Sequence, residues 1–257
     1  KAYLAKGLND LGHKVDFYTY FSKERDDLIV TKIKSLGISI YNSSKIRDGF
    51  SLKIMKELRQ ILSINNYDAV ISSMHTPSIY SALAMIGRHK TKLIVCEDLA
   101  GNDWMTMPTG EGGAGFDSQW DVNWIHPIRY LIETPNDNDR SMWTARDLVM
   151  AVYNGDQTDR VIYTESHDEV ANGSSRVPEE IAPGDAGNWF ARKRSTLGAG
   201  LVLTSPGIPM LFQGQEFLED GYFDDDDPLD WSKATTYAGI LELYTDLISL
   251  RLNKNGN

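Results

Sequence analysis

Two short stretches set acids and an imidazole where apolar runs stop. Residues 160–173, RVIYTESHDEVANG, carry Thr164, Glu165, Ser166, His167 and Asp168 in a row behind a β-like run. Residues 92–104, KLIVCEDLAGNDW, release Glu97 and Asp98 in the same way, followed by a glycine loop and Trp104. An acid, a carboxylate and an imidazole gathered at one rim can protonate a leaving oxygen, hold negative charge across a developing cation, and bind hydroxyls. Glu97 follows the apolar LIVC run and lies near Trp104 in sequence, a setting in which desolvation raises a carboxyl pKa toward the working range of an acid. Asp168, between His167 and Glu169, is in more polar company. Trp104, Trp120, Trp124 and Phe217 are candidate platforms for a ring-shaped ligand, with core packing the plainer role for each. Glu165 is carried as a substrate contact; as against catalysis, it and Glu169 suit loop scaffolding.

These residues need strands to deliver them. Val161 and Tyr163 alternate with Ile162 and Thr164, so the run predicts a strand with His167 and Asp168 past its carboxyl end, where parallel barrels keep their chemistry. SPGIPMLFQGQEF, residues 205–217, reads as a third strand ending in polar residues. SMWTARDLVMAVYNG and NWFARKRSTLGAGLVLTS read as intervening helices. This is the pattern of a (β/α) barrel or half of one.

The chain upstream has a different character. Ala2–Leu11 predicts a short helix closed by Gly12, and HKVDFYTY a strand. VTKIKSLGISIYN gives a helix end, Gly37 and a strand; SLKIMKELRQILSINNY has a helical stripe of Leu52, Met55, Leu58, Ile61 and Leu62. DAVISSM predicts a buried strand, and TPSIYSALAMIGR a helix with Thr76 at its N-cap and Pro77 in its first turn. Alternating helices and strands imply a parallel sheet with right-handed crossovers. His75, after a strand end, is where an acceptor-contacting residue would lie in such a sheet, or an exposed loop histidine.

Residues 1–95, through LAKGLNDLGHKVDFYTY, YDAVISSMHTPSIYSALA and KLIVCED, resemble the amino-terminal Rossmann-like lobe of two-lobed nucleotide-sugar glycosyltransferases. From about Leu93 to Leu252 the chain resembles the α-amylase superfamily of retaining glycoside hydrolases and transglycosidases, above all the α-1,4-glucan branching enzymes. CEDLAGNDW looks like that family's acid-bearing strand, GEGGAGFDSQWD like its sixth, YTESHDEVANG like its histidine-aspartate strand and PGIPMLFQGQEF like its eighth. The resemblance implies Glu97 as general acid/base, Asp168 as the carboxylate that grips sugar hydroxyls and stabilises the transition state, and His167 as a hydroxyl donor. The family's nucleophile, an aspartate in a pattern like G-F-R-x-D, occurs nowhere in these 257 residues, nor does its D-V-V-x-N-H.

The expected fold is therefore α/β: a partial Rossmann-like parallel sheet over 1–95 joined to half (strands 5–8) of a TIM-type barrel over 96–257. The KLIVCED strand suits both halves, and one continuous parallel sheet is compatible with it. Open sheet edges favour a homo-oligomer unless the first segment covers them. The expected function is an α-glucan hydrolase or transglycosidase with an incomplete site; a nucleotide-sugar glycosyltransferase fragment and a non-catalytic glucan-binding protein are the alternatives.

Composition narrows the partners. At 41% hydrophobic and 24% charged the chain can bury one large core or two small ones. A net charge of −10, with 36 acidic against 26 basic residues, argues against nucleic acid and suits neutral sugars. No apolar run spans a bilayer and no leader opens the chain, so the default compartment is the cytoplasm. Cys96 has no partner for a disulfide, and no Cys/His cluster has zinc-ligand spacing, so neither cofactor nor metal is required. The run Asp224–Asp227 reads as a solvated loop rather than a calcium site.

Overall fold

A computed structural model describes residues 2–21, 26–44, 51–73, 75–85, 93–224 and 226–254. The chain divides into two compact units, Lys1–Lys92 and Leu93–Asn257. The strand Leu93–Glu97 thus lies wholly in the second.

In the first unit α1 (Ala2–Asp10) closes at Gly12, whose φ of 91° only glycine adopts without strain. β1 (Asp16–Phe21), α2 (Asp26–Ser35) and β2 (Ser39–Ser44) follow, then α3 (Leu52–Ile64), β3 (Ala69–Ser73) and α4 (His75–Met85). β1 and β2 pair in parallel from Asp16↔Ser39 to Phe21↔Ser44. Alternation along β1 sorts its side chains to two faces. Tyr18 and Tyr20 pack with Ile54, Leu58, Tyr80 and Ala84 from α3 and α4, while Phe17 joins Ala5, Ile33 and Ile38 on the other face. Helices therefore cover both faces, as a parallel sheet requires.

Two expectations change here. β1 and β2 make a two-stranded sheet of their own, which β3 does not join. The lead-in to β3 is tied to β1 by a side chain, the Tyr67 hydroxyl donating to Asp16 Oδ2 at 2.6 Å, instead of by a backbone ladder. α4 starts at His75, so Thr76 is inside the helix and not its N-cap. The side chain of His75 lies outside the described residues.

In the second unit β4 (Leu93–Glu97), β5 (Ser118–Trp120), β6 (Arg160–Ile162) and β7 (Ile208–Pro209) pair in chain order, all parallel. α5 (Val122–Glu133), α6 (Met142–Met150), α7 (Val177–Ile181) and α8 (Trp189–Thr204) occupy the crossovers, and α9 (Lys233–Thr236) and α10 (Ala238–Arg251) follow β7. Sequential parallel strands joined by helical crossovers are the architecture of a half (β/α) barrel. The expected helices within residues 141–155 and 188–205 form as α6 and α8. Asp224, Asp226 and Asp227 stand exposed, as a solvated loop should; Asp225 lies outside the described residues.

α5 explains two aromatic assignments. Asp121 caps it, Oδ1 accepting from Asn123 N–H at 3.0 Å, and Trp124, Ile125, Ile128, Leu131 and Ile132 form its buried stripe. Trp124 is fully buried with Ile128, Leu131, Leu148, Ile162 and Val202, and its indole N–H donates to the Tyr163 carbonyl at 2.9 Å. Phe217, 1% exposed, is also core. Neither is a sugar platform, because neither face is open.

Asp159, just before β6, is pushed up to about 6 by burial and then by the negative charges of Asp156 and Asp117. Its folded pKa lies above the unfolded value of about 3.9, so the native state binds its proton more tightly and stability falls as pH rises from about 4 through 6. Asp159→Asn is expected to stabilise the unit at pH 7 by about 1 kcal/mol, allowing for solvent screening of this half-buried group. Urea midpoints should show that gain shrinking to nothing near pH 4.

Candidate active site

β4 and β6 run in parallel on either side of β5, so their carboxyl ends open on the same rim. Glu97 is the last residue of β4; His167 and Asp168 lie five and six residues beyond β6. His167 Nε2 stands 3.7 Å from Glu97 Oε1 and 3.4 Å from Asp168 Oδ1. The Glu97 side chain is 12% exposed and that of Asp168 46%, so the two carboxylates occupy unlike surroundings.

Trp120, at the end of β5, sets its ring edge-on to His167 at 6.1 Å between centroids and packs against Tyr163 at 5.3 Å. Tyr163 was not singled out from the sequence, though its place just before the TESHD run marks it as strand-end. Burial, then the charges of Glu169, Asp121, Asp168 and Glu97, push its phenol up, so it stays protonated beside them. Glu169 is within 3.5 Å of His126 Nδ1 on α5.

The structure thus brings Glu97, His167, Asp168 and Trp120 together. Trp104 sits on the loop after β4, about half exposed, its indole N–H donating to the Gly112 carbonyl at 2.9 Å. Among the described residues it makes no ring contact with that group. Its loop folds back tightly at Gly113, where a Cβ would meet the Met107 carbonyl oxygen at 2.1 Å.

Glu165 is corrected as a substrate contact. It is wholly buried, Oε1 accepting from Val177 N–H at 2.8 Å and Oε2 from Arg176 Nη1 at 3.2 Å. Burial pushes its carboxyl up while Arg176 pulls it down. Arg176 also donates to the Gln213 carbonyl at 2.9 Å and lies over the Phe212 ring, so this pair joins the segment carrying His167 and Asp168 to the loop after β7. Asp121 is equally engaged, accepting from Arg160 Nε at 2.6 Å and the Tyr153 hydroxyl at 2.8 Å. Sequence reasoning missed Arg160, because its partner is 39 residues away. Cys96 is buried and free, its thiol pushed up to about 12 by burial and then Asp98, which makes it unreactive.

A 1,4-α-glucan branching enzyme of Methylococcus capsulatus is 29% identical to this chain over 166 residues, 60% of the chain and 20% of that protein. One from Burkholderia pseudomallei is 33% identical over 150 residues, 56% of the chain and 19% of that protein. A little over half of the chain is thus similar to 1,4-α-glucan branching enzymes. The chain spans about a fifth of the length of these relatives. The fold matches the debranching enzyme of Nostoc punctiforme with a TM-score of 0.54 at 16% identity, covering 77% of this chain and 42% of that one. It also matches the GBS pullulanase SAP in complex with maltotetraose, at 0.52 and 16%, covering 77% and 34%. No family model matches. No helix among the described residues is long and apolar enough to cross a membrane.

Proposed function

We propose that this chain carries part of an α-glucan site of the hydrolase or transglycosidase type, similar to that of branching enzymes, and binds α-1,4-linked maltooligosaccharides. The convergence of Glu97, His167 and Asp168 on one rim carries the proposal. Glu97, the more buried carboxyl, is the proton donor to a glycosidic oxygen. Asp168 and His167 hold ring hydroxyls, and Asp168 opposes the positive charge that develops at the anomeric carbon. Trp120 gives the ring a face to rest on. Relatedness to glucan-active enzymes, one of them solved with maltotetraose, supports the substrate class.

The test is calorimetric titration with maltopentaose. Saturable binding is expected for the native chain, weakened about tenfold or more, roughly 1.4 kcal/mol, in Asp168→Asn. Absence of binding, or equal affinity in the variant, would count against the proposal.

A further inference from the structure

We propose that Trp104 is an outer sugar platform on the loop leaving Glu97, that side-chain amides led by Gln119 hold it in place, and that it favours longer α-glucan chains. The proposal rests on the glucan reading of Glu97, His167 and Asp168 and extends it along the sugar chain.

Every polar group of Trp104 is engaged within its own loop. Its backbone N–H donates to Asn102 Oδ1 at 3.0 Å, its carbonyl accepts from Ala114 N–H at 3.1 Å, and its indole N–H donates to the Gly112 carbonyl at 2.9 Å. These three anchors fix the side chain, yet the residue is 47% exposed. What stays free is the apolar ring. An aromatic held still in water has lost its conformational freedom without burying its surface, so a ligand that covers it gains apolar contact at little further entropic cost. The net charge of −10 disfavours anionic rings, and a neutral sugar brings a C–H face to the indole while its hydroxyls stay in water.

The loop is also pinned from three other elements. Asn123 on α5, Gln119 on β5 and Asn154 between α6 and β6 donate through their side-chain amides to three consecutive carbonyls, Gly101 at 3.1 Å, Asn102 at 2.6 Å and Asp103 at 2.9 Å. Gln119 is the informative one. It is wholly buried, pairs in register with Cys96 beside Glu97, and its Oε1 has no hydrogen-bond partner among the described residues. A buried unpaired acceptor costs stability, which an apolar side chain of similar size avoids. The bond that Gln119 does make goes to Asn102, an exposed residue whose carbonyl water can serve instead. Stability alone does not account for a glutamine here; holding the loop that leaves Glu97 does.

The experiment titrates the full chain with maltotriose and with maltoheptaose by calorimetry and follows urea unfolding of the same samples. Trp104→Ala is expected to weaken maltoheptaose binding about three- to tenfold and to leave maltotriose binding unchanged. Trp104→Phe, which keeps a ring without the indole N–H, should recover part of the loss, which separates stacking from damage to the loop. Gln119→Leu is expected to keep or raise the urea midpoint, since an unpaired acceptor is removed, and yet to lose maltoheptaose affinity as Trp104→Ala does. A glutamine that merely packs the core would show no such split. Trp104→Ala with native affinity for maltoheptaose, or with equal losses for both sugars, would overturn the proposal. So would Gln119→Leu that binds maltoheptaose like the native chain or loses affinity only together with stability. A native chain that binds neither sugar would defeat the glucan reading and this proposal with it, whereas binding of both that Trp104→Ala leaves untouched would defeat this proposal alone.

Discussion

Glu165→Ala is expected to destabilise the second unit by about 3–5 kcal/mol, the cost of leaving a buried charge without its partner. The guanidinium of Arg176, 2% exposed, would lose its only ion-pair partner among the described residues, and the Val177 N–H its acceptor. Desolvation makes each of these losses larger than it would be at the surface. Urea unfolding followed by tryptophan emission measures it. The double change Glu165→Leu with Arg176→Met should cost much less than Glu165→Ala, since no uncompensated charge remains. A cost under about 1 kcal/mol for Glu165→Ala would mean that water reaches Arg176. The same variant should weaken maltopentaose binding, because Arg176 ties the segment carrying His167 and Asp168 to Gln213.

Incubation with amylose is expected to yield little or no turnover, whether followed by reducing ends or by branch points. The retaining mechanism needs a carboxylate to attack the anomeric carbon while an acid protonates the leaving oxygen, and the covalent intermediate divides one hard step into two. This chain has no G-F-R-x-D aspartate to make that attack. General acid catalysis from Glu97 alone is worth about 10² to 10⁴-fold, far below the 10⁶-fold or more of a complete enzyme. Any residual rate should fall by about that factor in Glu97→Gln. Robust turnover abolished by Glu97→Gln would overturn the expectation and point to another carboxylate as nucleophile. Asp121 is poorly placed for that role, since Arg160, Tyr153 and the start of α5 already occupy its oxygens.

What could be read ahead of the structure follows the range of the forces involved. Strand periodicity is local, so the runs that deliver Glu97 and His167–Asp168 were visible, as were the helices behind them. The shortness of β5 and β7, three and two residues, is set by pairing with neighbours far away in the chain and left no mark on hydrophobicity. Trp124 is of a type that suits a sugar platform, but core packing is its plainer role in the sequence, and its buried stripe with Ile128 and Leu131 bears that out. Glu165 and Arg160 carry charge in the core, and only their distant partners make that tolerable. The first unit's alternation of helices and strands implied a parallel sheet, and β1 and β2 do pair in parallel, with both faces of β1 packed. It did not reveal that β1 and β2 would form a sheet apart from β3.

The most direct measurement is carbodiimide labelling of carboxylates, read residue by residue by mass spectrometry with and without saturating maltopentaose. Asp168, 46% exposed, should label freely alone and be protected by the sugar, whereas Asp137, 88% exposed on a loop beyond α5, should label equally in both. Protection confined to Asp168 and Glu97 is the result expected of a glucan site built on the β4 and β6 ends. Equal labelling of Asp168 with and without bound maltopentaose would contradict it.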